Sequence, residues 1–402
     1  MRKFYIMSLI YILVYNLGYS FQFTGKVVDG KTGMPIVEAN ISFENSSGIG
    51  TTTDESGIFS TDASKNSVKV NPADINDLIL GCAFPEGPQG MLMAKGVAIL
   101  SGLPETVGGS VVNRFCGSSM DALHQISLKV ESGEIDLGIA LGVEDMFSVP
   151  MGGFNPDFHP KLAEQEYYIG MGETAENLAS EGDITRDEQE EFAINSHKKA
   201  LDAWDNGRFS NEIVPVDIYG EYTVDRDEGP REPNLEKIKS LGPAFLENGT
   251  ITAATSSPIS IGASAILISS KDYAEKNSHK IKATIRGRSI VGVDWRRMGI
   301  GPLPATEKVL KYSEMTMQDI DAIELNEAFS AQALYVINKG KWDLEKINQN
   351  GGSIALGHPL GCSGARIITT LLNVMEQNNS RTGLATMCIG TGQGIATILE
   401  RN

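Results

Sequence analysis

The strongest constraint on the fold of this 402-residue chain is an internal repeat at a constant offset of 245 in the numbering. Three ungapped pairs of segments share this offset: ADINDLILGCAF (73–84) with QDIDAIELNEAF (318–329), FCGSSMDAL (115–123) with LGCSGARII (360–368), and DLGIAL (136–141) with RTGLAT (381–386). Because all three matches keep one register, they favour a duplication over chance similarity. Each half supplies a strand, a glycine-rich turn that opens a helix, and another strand. Such βαβ units predict an α/β fold with a mostly parallel sheet covered by helices in each half.

The two halves differ at their beginnings. Before its first matched strand, the second half has a strand candidate, IKATIRGRSIVGV (281–293), and a helix candidate, ATEKVLKYS (305–313). Shifted back by the same offset, these positions fall at 36–48 and 60–68, and the second of them reads STDASKNSV, which has no helical pattern. We therefore expect the first half to lack its opening strand and helix.

Residues 1–67 differ in character from the rest of the chain. Residues 1–20 combine a basic start with a short apolar run and small residues near Ser20, which is typical of a secretory signal peptide, although an N-terminal strand is the alternative. Residues 21–67 alternate β-branched runs with glycine turns before a polar linker, and they resemble a truncated carboxypeptidase regulatory-like β-sandwich. We assign residues 68–272 to the first half and residues 273–402 to the second.

A long segment at about 147–250 has no counterpart in the second half, so we interpret it as an inserted loop domain that covers the site. Its stretch GETAENLASEGDITRDEQEEFAINSHKKALDAWD (172–205) has a helical pattern. Thr185 with Glu188 three residues later forms the sequence signature of a capping box, which predicts the start of a helix there.

Charge and cysteine content exclude several classes of function. The formal net charge of −17 argues against binding to nucleic acid, because phosphate recognition requires a basic stripe. Four cysteines without a CxxC pair predict neither a disulfide framework nor a zinc site, and we expect no bound metal. Free thiols suit a reducing compartment, which conflicts with the export that residues 1–20 predict.

The residue most suggestive of chemistry is Cys116, which lies between a β-branched run and a helix and is followed by small residues. At a helix N-terminus the dipole stabilises a thiolate, so we expect its pKa to be lowered. An inert core cysteine is an equally good interpretation of this stretch alone. His358 lies in a glycine-rich turn, Cys388 precedes GTGQG, and Asn326 follows a strand; each signal is weak by itself.

Taken together, four motifs resemble those of the thiolase family: NRFCGSSM (113–120), NEAF (326–329), GGSIALGHPLGCSG (351–364) and CIGTGQG (388–394). The resemblance runs from about Val70 to Asn402. Within the insertion, GFNPDFHP (153–160) and TAATSSP (252–258) are most similar to the 3-ketoacyl-CoA thiolases of fatty-acid β-oxidation. The resemblance implies a thiolase fold whose opening strand is central in the first sheet. The sequence departs from the family at Ile261, where an acidic residue is usual.

The resemblance implies thiolytic cleavage of 3-ketoacyl-CoA by CoA through an acyl-enzyme on Cys116. His358 takes the thiol proton and Cys388 acts as acid and then as base. Asn326, through a water, and His358 form one oxyanion hole, while the N–H groups of Cys116 and Gly390 form another.

Coenzyme A enters as a substrate, with no permanently bound cofactor. By the same resemblance five residues of or near the insertion contact CoA: Met171, Arg231, Phe245, Ser257 and Phe329. Arg231 could equally be a solvated surface charge. The implied partners are acyl-CoA and CoA, a second or further copy of the chain in a homo-oligomer, and a β-oxidation enzyme; the implied compartment is the cytoplasm.

Alternative functions remain open at the level of sequence. One is a biosynthetic acetoacetyl-CoA thiolase, which shares the chemistry. Another is an inactive fusion between an exported β-sandwich module and a thiolase fragment, or an error in joining the reading frame near residues 65–70. Related condensing synthases lack the late cysteine, so Cys388 argues against them.

Overall fold

The computed structural model describes residues 70–218 and 221–401, together with the backbone of four short strands nearer the N-terminus. These strands are β1 (Phe23–Lys26), β2 (Asn40–Ser42), β3 (Gly50–Thr52) and β4 (Ile58–Thr61). β1 pairs antiparallel with β4, and β2 pairs antiparallel with β3. The signal-peptide prediction for residues 1–20 lies outside the described residues. The sandwich prediction is likewise untested, because most of residues 21–67 lies outside them.

The rest of the chain alternates strands and helices. In chain order the first part contains β5 (Asp77–Gly81), α1 (Met93–Leu100), β6 (Ser110–Val112), α2 (Ser118–Glu131) and β7 (Leu137–Asp145). The insertion contains α3 (Pro160–Ala163), α4 (Met171–Glu181), α5 (Arg186–Asp205), β8 (Val216–Ile218), β9 (Tyr222–Val224) and α6 (Leu235–Ser240). The chain continues with β10 (Ile261–Ser269), α7 (Lys271–Lys276), β11 (Thr284–Gly292), α8 (Pro302–Ser313), β12 (Ala322–Leu325), α9 (Ser330–Gly340), α10 (Ser353–Leu356), α11 (Ser363–Gln377), β13 (Thr382–Ile389) and β14 (Gln393–Glu400).

Two four-stranded sheets form the framework. The first has the strand order β10-β7-β5-β6, in which β5 runs parallel to β6 and β7 while β10 runs antiparallel to β7. The second has the order β11-β14-β13-β12, and only its β12–β13 pair is parallel. The expectation of a mostly parallel sheet is therefore correct for the first half and wrong for the second. A short turn joins β13 to β14 as a hairpin, which requires antiparallel pairing.

The duplication is visible in the positions of the elements. The starts of β12, α11 and β13 stand at the repeat offset from the starts of β5, α2 and β7, respectively. Helices α2 and α11 pack against each other, with Met120, Leu123 and Ile126 of α2 and Ile367, Ile368 and Leu371 of α11 buried in one cluster with residues of both sheets. The glycine at 364 allows this approach, because a Cβ there would lie 2.4 Å from the Met120 backbone nitrogen.

The opening strand of the second half is β11, and it lies at an edge of its sheet rather than in the centre. The expectation of a central opening strand concerned the first sheet, and it stays a prediction there. By the duplication, the corresponding place in the first half is beside β10, which is the edge strand among those described. Losing an edge strand breaks pairing on one side only, so it disrupts the sheet less than losing a central strand.

The insertion has the helices that its sequence predicts. Helix α5 begins after Thr185, whose side chain accepts a hydrogen bond from the Glu188 N–H, while the Glu188 carboxylate accepts one from the Thr185 N–H at 2.7 Å. This is the predicted capping box. None of the helices within residues 70–401 that the structure describes has the length and apolar content needed to cross a membrane.

Candidate active site

Cys116 lies in a tight turn between β6 and α2. Asn113 begins this turn by accepting a hydrogen bond from the Phe115 N–H at 2.9 Å through its side-chain oxygen. Phe115 then takes a left-handed conformation with φ of 43°, which is unusual for an aromatic residue. One 3₁₀ turn, Phe115–Gly117, leads directly into the helix. The strained turn holds the half-buried Cys116 at the strand-to-helix junction, the arrangement of a nucleophile elbow.

The Cys116 thiol is not ionised by its position at the helix. Burial raises its pKa to about 11, while hydrogen bonds from the Gly390 N–H and from its own backbone N–H act in the opposite direction. The expectation that the helix dipole lowers this pKa is therefore wrong, because the desolvation of a thiolate outweighs the stabilisation from nearby N–H groups. A nucleophilic Cys116 consequently needs a base.

The turn between β13 and β14 brings a second thiol to the first. Cys388 is the penultimate residue of β13 and is buried. Thr391 and Gly392 both have positive φ, which closes the turn. This turn packs on the Cys116 turn, because a Cβ on the glycine at 117 would lie 2.6 Å from the Ile389 side chain. Burial raises the pKa of Cys388, and the neighbouring Cys116 raises it further. The structure thus brings the two predicted cysteines and Gly390 together.

His358 supplies a neutral imidazole. Its Nδ1 lies 2.6 Å from the Ser363 hydroxyl, which itself donates to the Pro359 carbonyl at 2.8 Å. Since that hydroxyl hydrogen is already used, Nδ1 carries the ring proton in this hydrogen-bond network and Nε2 keeps a lone pair. Burial, with a contribution from the Arg366 charge, lowers the pKa of His358 to about 3. The ring is therefore neutral at pH 7 and able to accept a proton at Nε2.

The loop that carries His358 does not follow a strand directly. It follows the short helix α10 and precedes α11. The His358 N–H donates to the Ser260 hydroxyl at 3.1 Å, which fixes the loop to the start of β10. Because the loop spans the space between two helices, a glycine-rich turn rather than a strand sets the position of the ring.

Asn326 is the first residue after β12. Its backbone N–H donates to Thr386 on the neighbouring β13 at 3.0 Å, and its side chain is buried. The amide Nδ2 lies 3.4 Å from His358 Nε2, and the carbonyl Oδ1 accepts a hydrogen bond from the Ser353 hydroxyl at 2.7 Å. The structure therefore places Asn326 beside the Nε2 atom of His358.

One supporting residue was not identified from the sequence. Glu144 is a buried carboxylate near the end of β7. It accepts hydrogen bonds from the backbone of Ala83 at 2.7 Å and of Gly361 at 2.8 Å, and from the side chain of Gln89 at 2.9 Å. It thus joins the first half to the loop of His358. The signal available in the sequence was a pair of acidic residues, Glu144 and Asp145, at the end of an apolar strand.

Four of the five predicted CoA contacts lie around the Cys388 side of the site. Met171 and Phe329 pack in one apolar cluster with Cys388. The Phe245 ring meets Phe329 edge-on with centroids 5.8 Å apart, and the Ser257 N–H donates to the carbonyl of the residue before Phe329 at 3.0 Å. A Cβ on Gly390 would lie 3.3 Å from the Met171 sulfur, so this cluster borders the two thiols.

Arg231 is exposed, and its guanidinium donates to the Gly229 carbonyl at 3.2 Å. Its charge, after burial, contributes to lowering the pKa of His197 to about 4. Ile261, which stands where the family usually has an acidic residue, begins β10 with its side chain exposed. In the described part of the chain, no group of three or more His, Cys, Asp or Glu side chains is arranged to hold a metal ion.

The fold and the site define a duplicated α/β protein with two thiols, an imidazole and a carboxamide at the junction of its halves. Residues 61–272 match the thiolase N-terminal domain, and residues 279–401 match the thiolase C-terminal domain. The chain belongs to the thiolase family.

Individual relatives agree with this assignment. The chain is 47% identical over 344 residues to a protein named 3-ketoacyl-CoA thiolase from Vibrio vulnificus, and the match covers 83% of this chain and 89% of that protein. It is 48% identical to one of the same name from Shewanella loihica, with the same coverage. Its structure is similar to the crystal structure of the Bacillus anthracis acetyl-CoA acetyltransferase, with a TM-score of 0.76, 36% identity and coverage of 82% of this chain and 88% of that one.

Proposed function

We propose that the chain is a 3-ketoacyl-CoA thiolase, an acyltransferase that cleaves 3-ketoacyl-CoA with CoA to acetyl-CoA and a shortened acyl-CoA. The observation that carries the proposal is the close packing of the turn after β13 against the Cys116 turn, where a Cβ on the glycine at 117 would lie 2.6 Å from the side chain of Ile389, the residue after Cys388. The names of the Vibrio and Shewanella relatives support this substrate class.

In the first half-reaction, His358 Nε2 takes the proton of the Cys116 thiol as the sulfur attacks the 3-keto carbon. The tetrahedral intermediate collapses with cleavage of the bond between C2 and C3, which leaves the shortened acyl group on Cys116. The electron pair passes to the acetyl-CoA enolate, and Cys388 protonates its carbon. The raised pKa of Cys388 supports this step, because the group is a protonated thiol at neutral pH.

In the second half-reaction, the Cys388 thiolate takes the proton of incoming CoA. The CoA sulfur attacks the acyl thioester, and Cys116 leaves and recovers its proton from His358. Two pairs of hydrogen-bond donors stabilise the oxyanions of the two half-reactions. One pair consists of the Cys116 and Gly390 N–H groups. The other consists of protonated His358 and a water held by Asn326.

CoA is a substrate in this proposal, and no permanently bound cofactor is required. Met171, Phe245, Ser257 and Phe329 line the path of its pantetheine arm, and Arg231 meets its nucleotide end. We further propose a homo-oligomer, a division into halves at residues 68–272 and 273–402 with the insertion at about 147–250, and action in the cytoplasm, where CoA is available. The signal-like residues 1–20 instead predict export.

Two alternatives follow from specific observations. The likeness to an acetyl-CoA acetyltransferase favours a biosynthetic acetoacetyl-CoA thiolase, which runs the same chemistry in the opposite direction. The unusual composition of the segment 1–67 favours an inactive fusion of a β-sandwich module with a thiolase fragment. Cleavage rates for short and long 3-ketoacyl chains distinguish the biosynthetic thiolase from the proposed enzyme. The absence of any turnover would identify the inactive fusion.

The direct test is to trap the acyl-enzyme. The full chain is mixed with a 3-ketoacyl-CoA in the absence of CoA, and the intact mass is measured. We expect an adduct of the shortened acyl group on the peptide that contains Cys116, and none on Cys116→Ala. An adduct of the same mass on folded Cys116→Ala at this site would refute the assignment of the nucleophile.

A further inference from the structure

The Asn326 carboxamide is held by a buried hydroxyl from another element. Ser353 is the first residue of α10 and is fully buried. Its hydroxyl accepts a hydrogen bond from Arg366 Nη2 at 2.6 Å and donates one to Asn326 Oδ1 at 2.7 Å. A guanidinium can only donate, so the hydroxyl oxygen accepts from Arg366 and the hydroxyl hydrogen is available for Asn326 Oδ1. The direction of both hydrogen bonds is therefore fixed.

This pairing determines which end of the amide faces the imidazole. With Oδ1 bonded to Ser353, Nδ2 must lie toward His358 Nε2, at 3.4 Å. A carboxamide that turned by half a rotation would present its oxygen there instead. The oxygen would repel a developing oxyanion and could not donate to a water that stabilises it.

Arg366 lies beside a buried acidic side chain. It is on α11, and its Nη1 is 3.8 Å from the carboxyl group of Glu324, which is buried on β12 two residues before Asn326. The chain of contacts therefore begins and ends on β12, passing through α11 and α10. A shift of either helix would therefore change the position of the Asn326 amide.

We propose that Ser353, held by Arg366, is a positioning residue that fixes the orientation of the Asn326 carboxamide toward His358. The inference rests on the proposed function in that it treats this amide as part of an oxyanion site. Neither Ser353 nor Arg366 contacts the reacting atoms in this scheme, and both act through Asn326.

A double-mutant cycle tests the proposal. Thiolysis is measured for Ser353→Ala, Asn326→Ala and the double variant. We expect Ser353→Ala to lower kcat about tenfold with KM for CoA changed less than about twofold, and Asn326→Ala to lower kcat at least as much. The double variant should match Asn326→Ala, because Ser353 has nothing left to orient. An equal loss from Ser353→Ala in both backgrounds would show a merely structural role and overturn the proposal.

The matched control is Ser289→Ala on β11. It also removes a buried hydroxyl, one that donates to the Ala305 carbonyl at 2.6 Å, and it should leave kcat unchanged. Thermal melting of all variants separates loss of function from loss of fold.

A second measurement needs no turnover and so separates this inference from the proposed function. The rate at which iodoacetamide alkylates Cys116 is followed against pH by peptide mass. In Ser353→Ala the freed amide can turn its oxygen toward Nε2, which stabilises the protonated ring and lets Cys116 ionise at lower pH. We expect the midpoint to fall by about half a pH unit or more, with no further fall when Ser353→Ala is added to Asn326→Ala. An unchanged midpoint, or equal shifts in both backgrounds, would contradict the proposal.

Discussion

At the scale of single residues, the two thiols of the proposed site, Cys116 and Cys388, differ in their surroundings. Cys116 is half-buried, whereas Cys388 is buried within the apolar cluster against which Met171 packs. A sulfur near the surface of the site can reach a substrate carbonyl. A buried thiol that keeps its proton is suited to giving that proton to a carbon within the site.

Replacing Cys388 should therefore separate acylation from turnover. We expect Cys388→Ala to lose steady-state thiolysis by a factor of about 100 or more, because both the acid and the base step lose their proton carrier. Some acyl group should still be trapped on Cys116. Steady-state rates and intact mass measure the two effects, and a turnover equal to that of the unaltered chain would remove Cys388 from the mechanism.

The sequence identified these residues but not what holds them. Cys116 and His358 stand in glycine-rich turns, and such turns mark places where a ligand approaches the backbone. The hydrogen bonds that Ser353 and Arg366 donate, and those that the Glu144 carboxylate accepts across the halves, join separate segments of the chain. No local pattern encodes such contacts. The expectation that the pKa of Cys116 is lowered was wrong for a related reason, because the burial of this thiol depends on the whole fold.

At the scale of elements, the contact between β5 and α2 sets the direction of the nucleophile turn. The glycine at 81, the last residue of β5, faces the first turn of α2. A Cβ there would lie 2.2 Å from the Ser119 nitrogen and 2.4 Å from the Ser118 carbonyl carbon. Backbone atoms cannot move aside as a side chain can, so only glycine fits.

Gly81→Ala should displace α2 and with it Cys116. We expect a loss of several degrees in Tm and a fall in kcat. Gly96→Ala is the matched control, because Gly96 is exposed on α1 with nothing within 4 Å of its Cβ position. It should gain up to about 1 kcal/mol from helix propensity. Thermal melting checks both, and equal changes in Tm would contradict the close packing of β5 on α2.

Elements were predicted where the repeat or a local signal specified them. The repeat offset placed α11 and β13, and the capping box at Thr185 placed the start of α5. The edge position of β11 was missed, because strand order within a sheet depends on pairing between distant segments. The division into domains and the roles of the site residues stay predictions.

At the scale of the whole molecule, the protonation of a buried glutamate makes the free energy of unfolding depend on pH. Glu212 is buried, and this burial raises its pKa to about 8, although the Arg366 charge acts in the opposite direction. Unfolded, a glutamate titrates near 4.5. Between these values the folded chain keeps a proton that the unfolded chain has released. Stability from this group therefore falls as pH rises from about 4.5 to 8.

Glu212→Gln should remove this dependence. We expect the Tm of the variant, relative to the unaltered chain, to be higher by about 2 °C or more at pH 8.5 than at pH 5. Glu307→Gln, an exposed site on α8, is the control and should show no such change. Differential scanning calorimetry at the two pH values measures the difference in Tm between Glu212→Gln and the unaltered chain. A difference that stays constant or becomes smaller as pH rises would contradict the raised pKa of Glu212.

The central claim concerns the whole chain, whose thiolase motifs follow the unusual segment 1–67. The most direct measurement is thiolysis of a 3-ketoacyl-CoA by CoA with the purified 402-residue protein, run beside Cys116→Ala. We predict turnover that depends on both substrates, releases acetyl-CoA, and is abolished in the variant. A folded, monodisperse full-length chain that produces no acetyl-CoA, or a Cys116→Ala variant that turns over equally fast, would contradict the account.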